Sequence, residues 1–389
     1  MMRTHRLLAA AAAAALTLGV AACGSSSGTA TSSSSTSSSS SSDTSSSSSA
    51  GTSSAALSSG QMGSASAGPE GSASSGSSGS SSPAASVSED KSVDIAFLGF
   101  AKANSFAQAG FAGVEEYAKA HNATATFLDS DFDGPKQVNQ LQDAITSKRY
   151  QVVIIQANDG TAIAAPVKQA LAAGITVVVQ FTPIGGKFDT IEPQIPGTIN
   201  IIDPPTVNGK GLAKLALDAC KSMNLASGCK IAYLQGFANY PLDTARTQAA
   251  VDALKAGGAG EVISNLVGGY TPDAGRTAMQ NLLQAHPDVN VVIGSSQALE
   301  GATPLAKGKK IQFVGNGGST QAFGFVKDGT WFGVYNVPEK TEGAKAAEYG
   351  LLKARGGNPP TSMNTCDLTT YECLGTKASL TGKTADYSD

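Results

Sequence analysis

Histidine is nearly absent from this sequence of 389 residues, which contains only three. His5 lies near the N-terminus, and His121 and His286 follow predicted helices, just before predicted strands. The run GSSQA around Ser296 resembles a nucleophile elbow, although Ala298 replaces its last glycine. Ser296 would lie at the sheet edge opposite to both later histidines, and a serine nucleophile needs a base within hydrogen-bond reach. The sequence therefore predicts a protein that is not an enzyme.

Charged residues are also scarce, at 15% of the chain, and the formal net charge is −3. Because no basic patch occurs, we do not expect nucleic acid as a partner. Nucleotide-binding glycine loops and metal-binding His or Cys spacings are absent too, so we expect no cofactor and no metal. Asp129, Asp131 and Asp133 resemble the start of a calcium loop, but Gln140 stands where that loop needs glutamate. We favour the alternative that Asp133 caps a helix beginning near Pro135.

Long apolar runs are missing, since a membrane span needs about 20 residues. The nearest candidate, 7–20, is a short run rich in alanine and leucine that follows a basic start. These features are typical of a secretory signal. Ala21 and Ala22 precede Cys23, as in a bacterial lipobox, where the cysteine is lipidated and becomes the new N-terminus. We expect 1–22 to be a signal peptide and Cys23 a lipid anchor; the alternative is an ordinary signal with an incidental cysteine.

Cysteine is uncommon as well, and the count of five is odd for an exported protein. Lipidation of Cys23 would leave four cysteines in two close pairs. Cys220 lies near Cys229, and Cys366 lies near Cys373. Each pair could close a small loop in an oxidising compartment. We favour two disulfides over four free thiols or one metal site.

Residues 24–90 are rich in serine, glycine, alanine and threonine, with almost no charge and no aliphatic pattern. Such a segment cannot bury enough apolar surface to offset its ordering entropy. As a flexible chain of about 65 residues it would have a root-mean-square span of about 45 Å. We therefore expect 23–90 to be a lipidated, disordered tether. It would hold a folded body at the outer face of the cytoplasmic membrane.

From residue 91 onwards, short apolar runs alternate with helical patterns. The runs include VDIAFL, QVVIIQA and TVVVQF in a first block, then KIAYLQGF, VNVVIGS and KIQFVGN in a second. Nearly continuous apolar strands are typical of a parallel sheet covered on both faces. Three prolines between residues 182 and 202 separate the two blocks. The pattern predicts an α/β fold with two doubly wound parallel-sheet lobes, whose ligands bind beyond the carboxyl ends of the strands.

Longer stretches of the sequence also resemble a known family. They include VDIAFLGFAKANSFAQAGFAGVEEYAKA, LDSDFDGPKQVNQLQDAI, DTARTQAAVDALK and TAMQNLLQAHPDVNVVIG. Over about residues 92–365 the chain resembles the type I periplasmic sugar-binding proteins, the ribose-binding-like class. The resemblance implies capture of a small molecule for an ABC permease and its ATPase, with closure around a three-strand hinge. We expect a monomer with lobe 1 formed by 91–200 plus 337–365 and lobe 2 by 201–336 plus 366–389.

The same resemblance points to ligand-binding residues after the predicted strands. Asn104 and Phe106 match positions used for hydroxyl contact and ring stacking, and Arg246 matches the family's arginine. A guanidinium offers planar donors suited to vicinal hydroxyls or a carboxylate. The structural alternatives are helix capping by Asn104, core packing by Phe106 and an ion pair of Arg246 with Asp243. The complete predicted set is Asn104, Phe106, Asp159, Phe181, Phe237, Tyr240, Arg246, Ser296, Asn316 and Asn336.

Several positions depart from the family's pattern. Phe181 and Thr182 replace an Asp-Arg pair, Ser296 and Gln297 replace an Asn-Asp pair, and Gly317 replaces an aspartate. Charged groups that grip sugar hydroxyls are therefore largely missing, and buried hydroxyls need hydrogen bonds. We predict an extracytoplasmic solute-binding lipoprotein for a small polar ligand, a sugar or sugar-like molecule. The alternatives are a less hydroxylated or aromatic ligand, or a receptor that signals to a membrane sensor.

Overall fold

The computed structural model describes residues 91–225 and 228–389. The predicted signal peptide, Cys23 and the tether up to residue 90 lie outside these residues. The strands, in chain order, are β1 Val93–Gly99, β2 Ala123–Asp129, β3 Val152–Ile155, β4 Thr176–Phe181, β5 Ile199–Ile202, β6 Lys230–Gln235, β7 Glu261–Val267, β8 Val291–Ser295, β9 Gln312–Asn316, β10 Gly333–Tyr335, β11 Ser362–Asn364 and β12 Leu374–Thr376.

Helices connect most of these strands, and many begin at residues that favour a helix start. The helices are α1 Ser105–Ala120, α2 Gly134–Ser147, α3 Ala164–Ala172, α4 Pro205–Ser222, α5 Pro241–Ala256, α6 Pro272–Ala285, α7 Ser296–Ala302, α8 Thr320–Asp328 and α9 Glu339–Ala354. The side chains of Asn104 and Asp133 accept hydrogen bonds from backbone N–H groups in the first turns of α1 and α2. Such caps satisfy donors that a helix leaves free. The predicted cap at Asp133 is confirmed.

The first sheet has the strand order β11-β5-β4-β3-β1-β2, and all its pairs are parallel. Helices α1 and α9 pack together on one face, and α2 and α3 on the other. All four residues of β3 are buried, because both of its faces are covered. This sheet and these four helices form lobe 1.

The second sheet repeats the arrangement in the order β12-β10-β9-β8-β6-β7. It forms lobe 2 with helices α4 to α8. Four neighbouring pairs are parallel, but β12 runs antiparallel to β10. The sequence predicted a parallel-sheet lobe, which is confirmed for the other five strands, and did not predict β12. The difference arises because β10 runs towards the hinge, whereas β12 starts just after the hinge and runs away from it.

The chain crosses between the lobes three times, after β5, after β10 and after β11. The first predicted boundary, between residues 200 and 201, falls inside β5, which pairs wholly within lobe 1. The crossing therefore follows Ile202. One residue from each crossing meets the others: the Tyr335 hydroxyl lies 3.0 Å from Asp203 Oδ1 and 3.2 Å from Cys366 Sγ. The predicted three-strand hinge is thus a packed junction of hydrogen-bonding side chains.

Both predicted disulfides are present. Cys220–Cys229 links the end of α4 to the residue before β6, and Cys366–Cys373 closes the segment between the third crossing and β12. The second bond holds the returning chain beside the hinge. No helix within 91–225 and 228–389 is long and apolar enough to cross a membrane.

Candidate ligand-binding cleft

A cavity lies where the carboxyl ends of the two sheets face each other. Its lining comes from both lobes and from the hinge, and consists of Phe100, Asn104, Phe106, Phe132, Phe181, Tyr240, Leu242, Arg246, Tyr270, Gln297, Asn316, Gly317 and Val337. The space not filled by atoms is about 510 Å³, including the part of the mouth that is open to solvent. Side chains of the two lobes contact each other around this space, so the lobes are closed on each other in this structure.

The wall from lobe 1 is made mainly of phenyl rings. Phe100 and Phe181 follow or end strands β1 and β4, and Phe106 lies in the first turn of α1. The rings of Phe106 and Phe181 meet edge to face with centroids 4.9 Å apart, and Phe100 stacks on Phe132 at 6.5 Å. These contacts make the wall continuous. Asn104 adds an amide, whose oxygen accepts from the backbone N–H of Ala107.

Two of these phenylalanines have a strained backbone. Phe132 has φ of 57° and Phe181 has φ of 64°, in the left-handed region. A bulky residue rarely adopts this conformation, which costs about 1–3 kcal/mol and is concentrated at functional sites. Both rings lie in the cavity lining. Two of the rings that line the cleft are therefore held there by residues with a strained backbone.

Arg246 is the main charged group of the wall from lobe 2. The first half of α5 carries it, and its side chain is buried, with the residue 3% exposed. Nη1 lies 3.4 Å from Asp243 Oδ1, and the guanidinium carbon lies 5.8 Å from the centre of the Phe181 ring in lobe 1. Within the described part of the chain, Nε has no hydrogen-bond partner. Arg246 thus both forms the ion pair with Asp243 and lines the cleft.

Asp243 organises the groups behind Arg246. Its carboxylate accepts from the Phe237 backbone N–H at 2.7 Å and from the Tyr270 hydroxyl. Burial raises the pKa of Asp243, while Arg246 and these two hydrogen bonds oppose the shift. The carboxylate therefore compensates the guanidinium charge inside the protein.

A second buried carboxyl, Asp203, lies at the first crossing. It accepts from Asn208 Nδ2 at 2.6 Å, and Asn208 Nδ2 also donates to Asn316 Oδ1 at 3.1 Å. Burial raises the pKa of Asp203 to about 6. The hydrogen bonds from Asn208 and Tyr335 and the charge of Arg246 lower this pKa and so only partly offset the effect of burial. Asp203 thus connects the hinge to the cavity lining through Asn208 and Asn316.

Direct contacts hold the two lobes together around the cavity. The Tyr240 hydroxyl of lobe 2 donates to the backbone carbonyl of Phe132 in lobe 1. On another side, Gln297 Nε2 donates to Ser105 Oγ at 3.2 Å, and Ser105 Oγ donates to Asp389 Oδ1 at 2.7 Å. These bonds can exist only when the lobes are closed.

Six of the ten predicted ligand-binding residues line the cavity: Asn104, Phe106, Phe181, Tyr240, Arg246 and Asn316. Seven further lining residues were not in the predicted set: Phe100, Phe132, Leu242, Tyr270, Gln297, Gly317 and Val337. Of these, Gln297 and Gly317 were noted only as departures from the family's pattern. Phe132 and Tyr270 follow the edge strands β2 and β7, in the loops SDFDG and GGYTP. The sequence signal that could have identified Phe132 and Tyr270 is an aromatic residue in a loop with glycine or aspartate, directly after a strand.

The other four predicted residues lie outside the cavity lining. Phe237 packs behind it, with ring centroids 5.3 Å from Phe132. Asp159 lies in an outer groove and accepts from two backbone N–H groups, at Thr161 and Ala162. Ser296 is buried, and Asn336 donates to the Tyr371 hydroxyl at 2.7 Å. Ligand contact by any of the ten residues remains a prediction.

The acidic loop after β2 is built as a turn. Asp129 Oδ1 accepts from the backbone N–H groups of Lys102 and Asp131, at 2.8 and 3.0 Å. Asp133 is engaged in capping α2. In the residues that the structure describes, no group of three or more His, Cys, Asp or Glu side chains is placed to hold a metal ion.

Comparison with known proteins identifies the family. The sequence profile of the periplasmic binding protein domain matches residues 95–358. The chain belongs to this family. The ribose import binding protein of Bacillus subtilis is 26% identical over 231 residues, which are 56% of this chain and 67% of that relative. Family members of this kind bind substrates for transport and are not enzymes, as the sequence predicted.

Solved structures of binding proteins share the fold. The Caulobacter myo-inositol binding protein, bound to myo-inositol, has a TM-score of 0.64 at 17% identity, covering 75% of this chain and 95% of its own. An ABC transporter solute binding protein of Mycobacterium smegmatis, with bound glycerol, has a TM-score of 0.63 at 22% identity, covering 77% and 100%. The predicted type I fold of two α/β lobes is therefore confirmed.

Proposed function

We propose that this protein captures a small polar ligand of the sugar or sugar-like kind between its lobes and delivers it to an ABC permease and its ATPase. The observation that carries the proposal is the cavity, whose lining comes from lobe 1, lobe 2 and the hinge. A ligand that contacts both walls binds the closed form better than an open one. It therefore shifts the population towards closure, which the importer can recognise.

The relatives support this role. The Bacillus subtilis relative is a ribose import binding protein, and the solved relatives hold a cyclic polyol or glycerol. The arginine and the phenylalanines of the cleft suit a ring-shaped ligand, since an arginine donates to oxygen atoms and aromatic rings pack on apolar faces. We expect the protein to act as a monomer.

The proposal includes a location outside the cytoplasmic membrane, where Cys23 carries the lipid and the serine-rich tether spaces the folded part from the surface. Support comes from the small residues before Cys23 and from two disulfides, which persist in oxidising compartments. Cys23→Ser should remove the lipid, which mass spectrometry of the N-terminal peptide detects as the loss of the acyl mass. A matched Ser25→Ala variant should keep the lipid. A wild-type N-terminal peptide without acyl groups would contradict lipid anchoring.

A thermal-shift screen of the purified protein tests ligand capture. The compounds are sugars, polyols, nucleosides, amino acids and small aromatic acids. At 1,000 times the dissociation constant a ligand stabilises the folded state by about 4 kcal/mol, enough to raise the melting temperature by several degrees. We expect a hit that is lost in Arg246→Met and kept in Arg276→Met, since Arg276 lies on α6 and outside the lining. A hit that survives Arg246→Met would place binding elsewhere.

A further inference from the structure

A short segment that follows β12 contacts both lobes. Residues 384–389, with the sequence TADYSD, form this segment, the tail. The residues that lead to the tail, 377–383, belong to lobe 2, where Leu380 packs in the core with Phe313 and Trp331. The tail therefore starts from lobe 2, and its contacts with lobe 1 join the two lobes.

The tail is fastened to lobe 2 beside the first turn of α8. The backbone N–H and the hydroxyl of Thr320 both donate to the carbonyl of Tyr387, each at 2.9 Å. Gln321 Nε2 donates to the backbone oxygen of Asp389 at 2.8 Å, and Gln321 Oε1 accepts from the Asp389 backbone N–H at 3.1 Å. The Tyr387 hydroxyl accepts from the Gly318 backbone N–H at 3.0 Å. Because both partners of each bond move with lobe 2, these bonds do not depend on closure.

Two carboxylates of the same tail reach helix starts in lobe 1. Asp386 Oδ2 accepts from the backbone N–H of Thr341 in the first turn of α9, at 2.9 Å. Asp389 Oδ1 accepts from the hydroxyl of Ser105, the first residue of α1, at 2.7 Å. A helix start has unsatisfied N–H groups and a partial positive charge, so a carboxylate is favourable there. The tail thus contacts both helices that cover one face of the lobe 1 sheet.

Tyr387 places the middle of the tail behind the cavity wall. The residue is 7% exposed, and its ring meets the Phe106 ring edge to face with centroids 6.1 Å apart. A methyl group added at Gly317 would lie 3.1 Å from the Tyr387 hydroxyl. Phe106 lines the cavity from lobe 1, and Gly317 lines it from lobe 2. Tyr387 therefore supports the wall at the junction of the lobes without being part of the lining.

We propose that the tail acts as a strap that holds the lobes closed in the free protein. On opening, the contacts of Asp386 and Asp389 with lobe 1 break, whereas the contacts with α8 persist, so the tail moves with lobe 2. If the protein captures a small molecule as proposed above, the tail must leave lobe 1 before that molecule enters or leaves the cleft. Ser105, Asp386 and Tyr387 are thus positioning residues, which control access to the cleft from outside its lining.

The rate at which a cysteine in the cleft reacts with N-ethylmaleimide measures opening, and this experiment needs no ligand. Leu242→Cys in the full chain places the thiol in the lining of lobe 2, at a position that is 4% exposed. Mass spectrometry of the peptide that contains position 242 gives the rate. We expect this parent protein to react at least tenfold more slowly than a short peptide of the same sequence. A smaller difference would mean that the free protein is largely open and would overturn the strap.

Substitutions in the parent then remove the contacts with lobe 1. Loss of a hydrogen bond that involves a carboxylate shifts an equilibrium at least fivefold, so Ser105→Ala and Asp386→Ala should each raise the reaction rate at least threefold. The double variant should react faster than either. Ser388→Ala is the control, because the Ser388 hydroxyl donates to Gln321 Oε1 at 3.1 Å within lobe 2. Less than a threefold rise in the double variant, or an equal rise in Ser388→Ala, would overturn the strap.

Urea titration of the same variants separates opening from unfolding. The free energy of unfolding gives the unfolded fraction, and we expect the reaction rate to rise more than this fraction accounts for. A rise in rate that the unfolded fraction explains would overturn the strap. Ligand capture is decided by the thermal-shift screen, which does not depend on the cysteine. A failure of the strap and a failure of the proposed function are therefore distinguishable.

Discussion

Replacing Tyr240 by phenylalanine removes one hydroxyl from the mouth of the cleft and leaves its ring in place. The hydroxyl donates to the carbonyl of Phe132 in the opposite lobe, and the ring packs 5.1 Å from Phe237. Burial raises the pKa of Tyr240 to about 12, so the hydroxyl remains a donor at neutral pH. The substitution therefore deletes one contact that exists only in the closed form.

The expected magnitude follows from the energy of one hydrogen bond. A hydrogen bond within a protein contributes about 1 kcal/mol net, so its loss should shift the equilibrium between closed and open forms about fivefold towards the open form. If the free protein favours the closed form by about fivefold or less, its radius of gyration should rise, because the open form then becomes a large fraction. If the free protein is mainly open, the dissociation constant of the ligand should rise about fivefold instead.

Two measurements together capture this shift. Small-angle X-ray scattering of the free protein gives the radius of gyration, and calorimetry with the strongest compound from the screen gives the dissociation constant. Tyr349→Phe is the matched control, since the Tyr349 hydroxyl contacts Met363 Sδ within lobe 1. No change in either quantity for Tyr240→Phe, with stability equal to the wild type, would refute the role of this bond in closure.

Other substitutions test the buried charges and the helix packing. Arg246→Met should lower the free energy of unfolding, measured by urea titration, by about 3–5 kcal/mol, because it leaves the buried Asp243 carboxylate without its cation. The double variant with Asp243→Asn should recover most of the lost stability. No recovery would contradict the ion pair of Arg246 with Asp243. The raised pKa of Asp203, about 6, means that the folded state holds the proton more tightly than the unfolded state. As the pH falls from 7 to 4, the unfolding free energy of the wild type should therefore rise by up to about 3 kcal/mol relative to that of Asp203→Asn. A difference in unfolding free energy that does not change with pH would contradict the raised pKa. Gly113→Ala would place a methyl carbon 1.9 Å from a backbone oxygen of α9 and should destabilise the protein by about 1–3 kcal/mol. The control Gly324→Ala in α8 meets nothing within 4 Å and should stabilise the protein by up to about 1 kcal/mol. Changes in melting temperature of the same sign for both variants would refute the close approach of α1 and α9.

Local features of the fold could be predicted from the sequence because they depend on neighbouring residues. Asp133 and Pro135 favour a helix start through contacts with their own neighbours in sequence, and continuous apolar runs such as Val152–Ile155 form strands that need cover on both faces. The disulfides were also accessible, since each pair is separated by fewer than ten residues. The antiparallel direction of β12 was not, because it depends on where the hinge lies in space.

The composition of the cleft could be predicted only in part. Arg246 and Phe106 lie in helical turns after strands, where the fold itself places them at the correct sheet edge. Phe132 and Tyr270 reach the same cavity from loops, and Phe132 does so with a left-handed backbone that its sequence does not indicate. Ser105 meets Asp389 across 284 positions of sequence. Such meetings follow from the closure of the two lobes, which no local pattern encodes.

A crystal structure with the most stabilising compound of the screen would test ligand capture most directly. We expect electron density for the compound between Phe181 and Arg246, with atoms within about 4 Å of side chains from both lobes. Density on another surface, with the closed cleft free of the compound, would contradict binding between the lobes.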